Sequence, residues 1–228
     1  MQHSPIQHTT PRSLLVVAKQ PAAEQTKTRL CPPLTGATAA ELYEHFLRDT
    51  LEIMRRVPNV QRTIVYLPED AEGYFRQLAP DMALTRQQGA TLGERLDHLL
   101  TSALNAGASC AVVMDSDSPT LPSAYVAQAF DRLDSADVVL GPCRDGGYYL
   151  IGVRQPQPRL LREVPMSTPT VLRDTLALAD ELGLRVALLP EWYDVDTVAE
   201  LNHLAEEIAH LDTGIATHTR ACLAQLRW

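Results

Sequence analysis

Aromatic residues make up only 5% of the 228 positions, too few to build stacking platforms for single-stranded nucleic acid. Positive charge is also in deficit. Twenty Lys and Arg stand against 28 Asp and Glu, a formal net charge of −8. That balance speaks against polyanion binding over a wide surface but leaves room for a small basic pocket. Cysteine is limited to Cys31, Cys110, Cys143 and Cys222. None forms a CxxC pair and no Cys/His spacing reads as zinc, so reduced thiols and a cytoplasmic location are expected. No run reaches the ~18 apolar residues of a membrane span. Residues 1–11 hold two prolines, His3 and His8 but no signal-peptide core, and read as a disordered tail. A Walker A loop, a G-x-G-x-x-G turn and a G-x-S-x-G elbow are all missing, which speaks against two common nucleotide-binding folds and against a covalent hydrolase.

What the chain does have is ordinary globular material, 45% hydrophobic and 21% charged, in short apolar runs that alternate with amphipathic stretches. Leu14–Ala18, Thr63–Leu67, a weak 82–86, Ala111–Met114, Val138–Leu140, Tyr148–Val153 and Arg185–Leu189 read as strands. Helices are predicted over 37–56, 70–79, from Thr91 to about 106, and over 123–133, 169–182, 198–210 and 216–227. Thr38/Glu41, Thr91/Glu94 and Thr197/Glu200 have capping-box spacing. Solidly apolar strands alternating with helices predict a mostly parallel sheet covered on both faces. No linker, repeat or composition shift divides residues 12–228, so one domain is expected.

In such sheets ligands bind beyond the carboxyl ends of the strands, and four segments there carry chemistry. The loop after the first strand, Ala18 to Leu30, gathers Lys19, Lys27 and Arg29. Those side chains suit phosphate oxygens, or simply line a solvated loop. The fourth strand ends in Asp115-Ser116-Asp117. An extended chain would put both carboxylates on one face to hold Mg²⁺ or Mn²⁺; the plainer alternative is a turn with an Asp cap. Asp145-Gly146-Gly147 separates two strand-like runs, as a hairpin turn or as a place for close backbone approach to a ligand. Asp194-Val195-Asp196 follows the last strand, a second acidic pair that strengthens the case for a metal.

These stretches resemble a known bacterial group, the DUF2064 family of GT-A-like, glycosyltransferase-like proteins associated with radical-SAM systems. The matching segments are AKQPAAEQTKTRL (18–30), LRDTL (47–51), TLGERL (91–96), DSDSPTLP (115–122), VVLGPCRDGGYYLIGV (138–153), VPMSTPTVLRDTL (164–176) and LPEWYDVDTVAEL (189–201). The resemblance implies a GT-A, nucleotide-diphospho-sugar transferase fold, a Rossmann-like three-layer α/β/α domain with a mixed, mostly parallel sheet. The group is also similar to 2-phospholactate guanylyltransferases, whose Lys-[Ser/Thr]-Arg-Leu stretch matches Lys27-Thr28-Arg29-Leu30.

By that resemblance Lys19, Lys27 and Arg29 bind the nucleotide phosphates, and Asp117 holds the metal with Asp194 and Asp196 as the second acidic pair. Gly146 and Gly147 line the acceptor side, with Ser167 and Thr168 nearby. Asp117, Asp194 and Lys27 are the catalytic candidates, and Asp194 or Asp145 could take the acceptor proton. The implied activity is Mg²⁺- or Mn²⁺-dependent glycosyl transfer from a nucleotide-diphospho-sugar to a small acceptor. Its alternatives are a guanylyltransferase-like nucleotidylyl transfer and a non-catalytic nucleotide-binding or regulatory role. The expected partners are the nucleotide donor and a small molecule, not nucleic acid or membrane, with homodimerisation left open. One departure stands out. The family's usual Pro-x-x-Gly is Pro21-Ala22-Ala23-Glu24 here, which puts a negative charge either into the phosphate site or away from it.

Overall fold

The computed structural model describes residues 11–226; of the expected tail over residues 1–11, all but Pro11 lie outside them. The chain opens with β1 (Arg12–Lys19), α1 (Gly36–Arg56), β2 (Val60–Leu67), α2 (Glu72–Leu78) and β3 (Ala83–Arg86). It continues through α3 (Leu92–Asn105), β4 (Cys110–Met114), α4 (Ser123–Arg132), β5 (Val138–Pro142) and β6 (Tyr148–Val153). The last part contains α5 (Pro158–Arg162), α6 (Val171–Glu181), β7 (Val186–Leu188), α7 (Val198–His210) and α8 (Thr217–Leu223). The short α5 and a 3₁₀ turn at Thr28–Leu30 escape the sequence pattern because neither spans enough turns to show a period. The capping boxes at Thr91/Glu94 and Thr197/Glu200 form. The one expected at Thr38/Glu41 does not: Thr35 caps α1 and accepts from Thr38 N at 3.2 Å.

The seven strands order as β3-β2-β1-β4-β6-β5-β7. All neighbours are parallel except that β6 runs antiparallel to both β4 and β5. The chain therefore leaves β1 in one direction for β2 and β3 and returns on its other side as β4, which makes the β1/β4 boundary a topological switch point. There β4 ends at Met114, opposite Val16, while β1 continues to Lys19. Because β6 is reversed, the turn that precedes it comes to the same end of the sheet as the loops following β1, β4 and β7.

Two apolar layers cover the sheet. Leu47, Leu51, Phe75, Val126 and Phe130 from α1, α2 and α4 pack on one face, and Leu96, Leu99, Leu100, Leu160 and Leu161 from α3 and α5 on the other. A third cluster joins the far side of α1, through Leu42, Tyr43 and Phe46, to Leu201, Leu204 and Ile208 of α7 and Cys222 of α8. Among the described residues no helix is long and apolar enough to cross a membrane.

Asp49, inside the LRDTL stretch, serves this third cluster. It is 3% exposed and accepts from His218 N at 3.1 Å and Thr219 N at 2.7 Å, so it satisfies two backbone donors at the start of α8. Asp49→Ala leaves the buried Thr219 N and the half-buried His218 N without their acceptor and should cost about 2 kcal/mol in urea unfolding. Asp49→Asn, which keeps an acceptor oxygen, should cost clearly less.

Candidate active site

Four segments converge at the switch point, and a buried lysine ties three of them together. The β1 loop folds back on itself, with Thr26 Oγ1 accepting from Ala22 N at 3.1 Å. The fold leaves Lys27 at φ 51°, a left-handed conformation that costs a side-chain-bearing residue of order 1–3 kcal/mol. Its contacts offset that strain. Lys27 Nζ lies 2.8 Å from Asp117 Oδ1 and 2.7 Å from Asp196 Oδ1, with its side chain only 6% exposed. Burial alone would push the amine towards neutrality, but the two carboxylates outweigh it and hold the ammonium charged, its pKa above the ordinary lysine value. Arg29 Nη1 adds a 3.2 Å contact to Asp196 Oδ2. Burial also opposes the charge on Asp196, yet Lys27 and Arg29 keep its carboxyl below the usual range.

After β4 the chain turns instead of staying extended, which corrects the expected basis for placing both aspartates together. Asp117 N donates to Asp115 Oδ1 at 3.2 Å, an Asx turn, with Ser118 Oγ 3.4 Å from Asp115 Oδ2. It is the turn, not strand alternation, that brings both carboxylates to the same cavity. The β7 loop is sewn on by Val195 N to Asp117 O at 3.0 Å and Ser118 Oγ to Tyr193 O at 3.1 Å. Tyr43 of α1 joins the two central strands from beneath: its hydroxyl accepts from Lys19 N at 3.2 Å and bonds Ser116 Oγ at 2.8 Å. Burial, with Asp117 nearby, raises that phenol to about 12, so it stays protonated.

The carboxylates are crowded. Burial raises Asp115 well above its usual value, with Asp117 and Asp194 adding repulsion. Asp194 is pushed up to about 6 by burial and then by Asp196 and Asp145. Ligand atoms of Cys143, Asp145 and Asp194 lie within 4.8 Å of one another. Burial and these neighbouring carboxylates hold the Cys143 thiol protonated, so it is a poor soft-metal ligand. The rest of the set is carboxylate oxygen, the donor type of Mg²⁺ and Mn²⁺, and a divalent cation would relieve the crowding.

Two cavities share this centre. One, of about 450 Å³, is lined by Lys19, Lys27, Arg29 and Arg95 together with Gln87 and Tyr43. The other, of about 540 Å³, has Asp115, Asp145, Asp194, Gly147, Thr168 and an apolar wall. Asp117, Asp196, Arg29, Ser167 and Leu92 border both. Every candidate residue read from the sequence therefore lies on one cavity or the other except Gly146. Gly146 has φ 91°, and a Cβ there would come within 2.0 Å of Pro169 O; its role is to let the Asp-Gly-Gly turn pack on the 167–169 segment. Tyr43, Gln87 and Arg95 were not picked out from sequence. Arg95 stands inside TLGERL and was hidden behind that stretch's capping signal; Gln87 and Tyr43 sit in a loop and on an amphipathic helix and carry no local signal at all.

Glu24 adopts φ 61°, so the glycine-like conformation survives without the glycine. It is absent from both cavity linings. Its carboxylate instead rests against Gly36, where a Cβ would come within 2.0 Å of Glu24 Oε1. This is the first residue of α1, where the helix dipole favours negative charge.

The mixed seven-stranded sheet, with its charged centre at the switch point, has the nucleotide-diphospho-sugar transferase-like fold, and the chain is of that transferase class. The chain belongs to the family described as "uncharacterized protein conserved in bacteria (DUF2064)", whose model matches residues 50–168. It is similar to a protein of Desulfovibrio desulfuricans G20, provisionally named a nucleotide-diphospho-sugar transferase. The two are 34% identical over 94% of each chain, with a TM-score of 0.88. The fold is shared, at 12% identity and a TM-score of 0.57, with a CMP:2-keto-3-deoxy-manno-octonic acid synthetase complexed with CTP, over 88% of this chain and 99% of that one. It is also shared, at 17% identity and a TM-score of 0.50, with the Rv0371c protein of Mycobacterium tuberculosis H37Rv in complex with manganese, over 86% of this chain and 99% of that one. No curated protein matches the chain by sequence.

Two outcomes are expected from this geometry. Between pH 3.8 and about 6 folded Asp194 binds a proton that the unfolded chain has released, so ligand-free stability falls as pH rises through that window. In EDTA, Asp194→Asn should therefore raise stability at pH 7.5 by on the order of 1–2 kcal/mol, after discounting for the partial exposure of the site, and by almost nothing at pH 4. Glu24→Gly should change nucleotide affinity by less than about twofold in calorimetry, because the carboxylate faces α1; a tenfold gain would show that it repels phosphate.

Proposed function

We propose that this protein is a metal-dependent transferase that moves a glycosyl group from a nucleotide-diphospho-sugar to a small acceptor. The observation that carries the reading is the pairing of a cationic cavity with an acidic one across a shared wall of Asp117, Asp196 and Arg29. A donor whose diphosphate lay on Lys19, Lys27, Arg29 and Arg95 would present its sugar at that wall. The name given to the 34% identical relative supports the same donor class.

Asp117, with Asp196 or Asp194 as the second acidic ligand, would hold a Mg²⁺ or Mn²⁺ ion; Asp196 would share its oxygens with Lys27 and Arg29. Held there, a cation would neutralise charge on the diphosphate and so would stabilise the leaving oxygen. The manganese complex of the Rv0371c protein, alike only in fold, supports the choice of a divalent cation. The protein's own groups do the rest. Lys27 and Arg29 stabilise charge that develops on the phosphate as the sugar–phosphate bond breaks. Asp194, poised near 6, accepts the proton of the acceptor as its heteroatom bonds to the anomeric carbon, and the nucleoside diphosphate leaves. Ser167, at φ 60° on the rim of both cavities, is placed to orient the bridging group.

A second reading is nucleotidylyl transfer, in which the acceptor attacks the α-phosphorus of a nucleoside triphosphate and pyrophosphate leaves. The same cationic wall serves it, and the CTP-bound synthetase has the same fold.

A melting-temperature panel separates the two. With Mn²⁺, nucleotide-sugars and their diphosphates should stabilise the protein, by about 2.7 kcal/mol at a ligand concentration 100 times the dissociation constant. Stabilisation by triphosphates alone, with pyrophosphate release, would establish the second reading. Silence across the panel would overturn both in favour of a non-catalytic role. Lys27→Met and Asp117→Ala should each lower turnover by at least about 10²-fold.

A further inference from the structure

We infer that the acceptor is a small amphipathic molecule with a cationic, amine-bearing end. The inference deepens the two-cavity reading and rests on it. It follows from how charge and apolar surface are divided within the 540 Å³ cavity. Its lining is largely apolar and includes Leu96, Tyr148, Met166 and Val171, with Val17 and Leu92 shared with the donor cavity. Leu92 and Leu188 are the two large hydrophobic side chains that stand exposed among the described residues, and Leu92, 37% exposed, is on this cavity's rim. A leucine held open beside a cavity gains most when a ligand covers it.

The charged part of the cavity is acidic. Asp115, Asp145 and Asp194 line it, and Asp145 and Asp194 bring carboxylate oxygens within 4.8 Å of each other and of Cys143 Sγ. Arg29 is the single cation on the described lining; it also pairs with Asp196 at 3.2 Å, and in the proposed function it serves the donor diphosphate. Lys19, Lys27 and Arg95 belong to the donor cavity and do not line this one. Beyond the divalent cation proposed for the diphosphate, a phosphorylated or carboxylated acceptor would therefore lose its water in front of Asp145 and Asp194 with no side-chain counter-charge to replace it. An ammonium brings three N–H donors and no acceptor. It matches the Asp145–Asp194 pair in sign and in hydrogen-bonding capacity, while a carbon chain of a few bonds reaches the Leu92–Met166 side. The same division of charge keeps the anionic donor and the acceptor each in its own cavity.

Three probes of equal length test this: 6-aminohexan-1-ol, hexane-1,6-diol and 6-hydroxyhexanoate, titrated into the full chain by ligand-observed NMR, first in EDTA and then with Mn²⁺. The ammonium probe should bind at least about tenfold more tightly than the carboxylate, with the diol between them. Asp145→Asn combined with Asp194→Asn should shrink that ratio to about twofold or less. Leu92→Ala, at an exposed position, should weaken all three probes alike and leave their order unchanged, which places the chain of the probe on the apolar side. Equal binding of the three, or preference for the carboxylate, would overturn the inference. So would Mn²⁺ that displaces the ammonium probe and loses its own affinity in Asp145→Asn, since the cluster would then be a metal site. A protein that binds nucleotides yet prefers the carboxylate probe sinks this inference alone; one that ignores every nucleotide sinks the transferase reading first.

Discussion

The ammonium of Lys27, held between Asp117 and Asp196 at 2.8 and 2.7 Å, is the interaction on which the site depends. It joins the loop after β1 to the loops after β4 and β7 through charge, beside the backbone and hydroxyl contacts of Val195, Ser118 and Tyr43 that hold the same segments. Desolvating one ammonium and two carboxylates is expensive. The structure meets that cost by giving the amine two partners at once and by adding Arg29 to the second of them. The left-handed backbone at residue 27 is what aims the side chain inward. Strain, burial and ion pairing here form one device, concentrated where strain tends to be retained in proteins.

Around that device the electrostatics split in two. The β1 loop and α3 supply cations on one side, and the aspartates of the β5–β6 turn and the β7 loop crowd the other. The imbalance on the acidic side shows in Asp194, held near 6, and in Asp115, held well above a free carboxyl. Such crowding is unfavourable in the empty protein and becomes favourable once a cation enters, which is how a binding site stores affinity in its own folded state.

The elements themselves were legible because hydrophobic period and capping chemistry are local. All seven strands and the longer helices lie where the apolar runs put them, and Thr91/Glu94 caps α3 as its spacing implies. The N-cap of α1 was misplaced because Thr35, two residues before the expected start of the helix, is as good a cap as Thr38. The acidic pairs and the Lys27–Arg29 cations could be read as candidates, since charge at a strand end is visible in one dimension. Their pairing could not: Lys27 is 90 residues from Asp117 and 169 from Asp196 along the chain.

By itself the sequence determined the class of fold, the end of the sheet where chemistry gathers and the residue types available there, because those follow from short-range pattern and from the rule that parallel sheets bind at their carboxyl ends. Only the tertiary structure decided which carboxylates the lysine occupies, that Asp115 and Asp117 meet through a turn, that Glu24 faces α1 and not the phosphates, and that two oppositely charged cavities share one wall. Those outcomes depend on distances between loops brought together by the sheet order, and such distances exist only once β1 and β4 lie side by side.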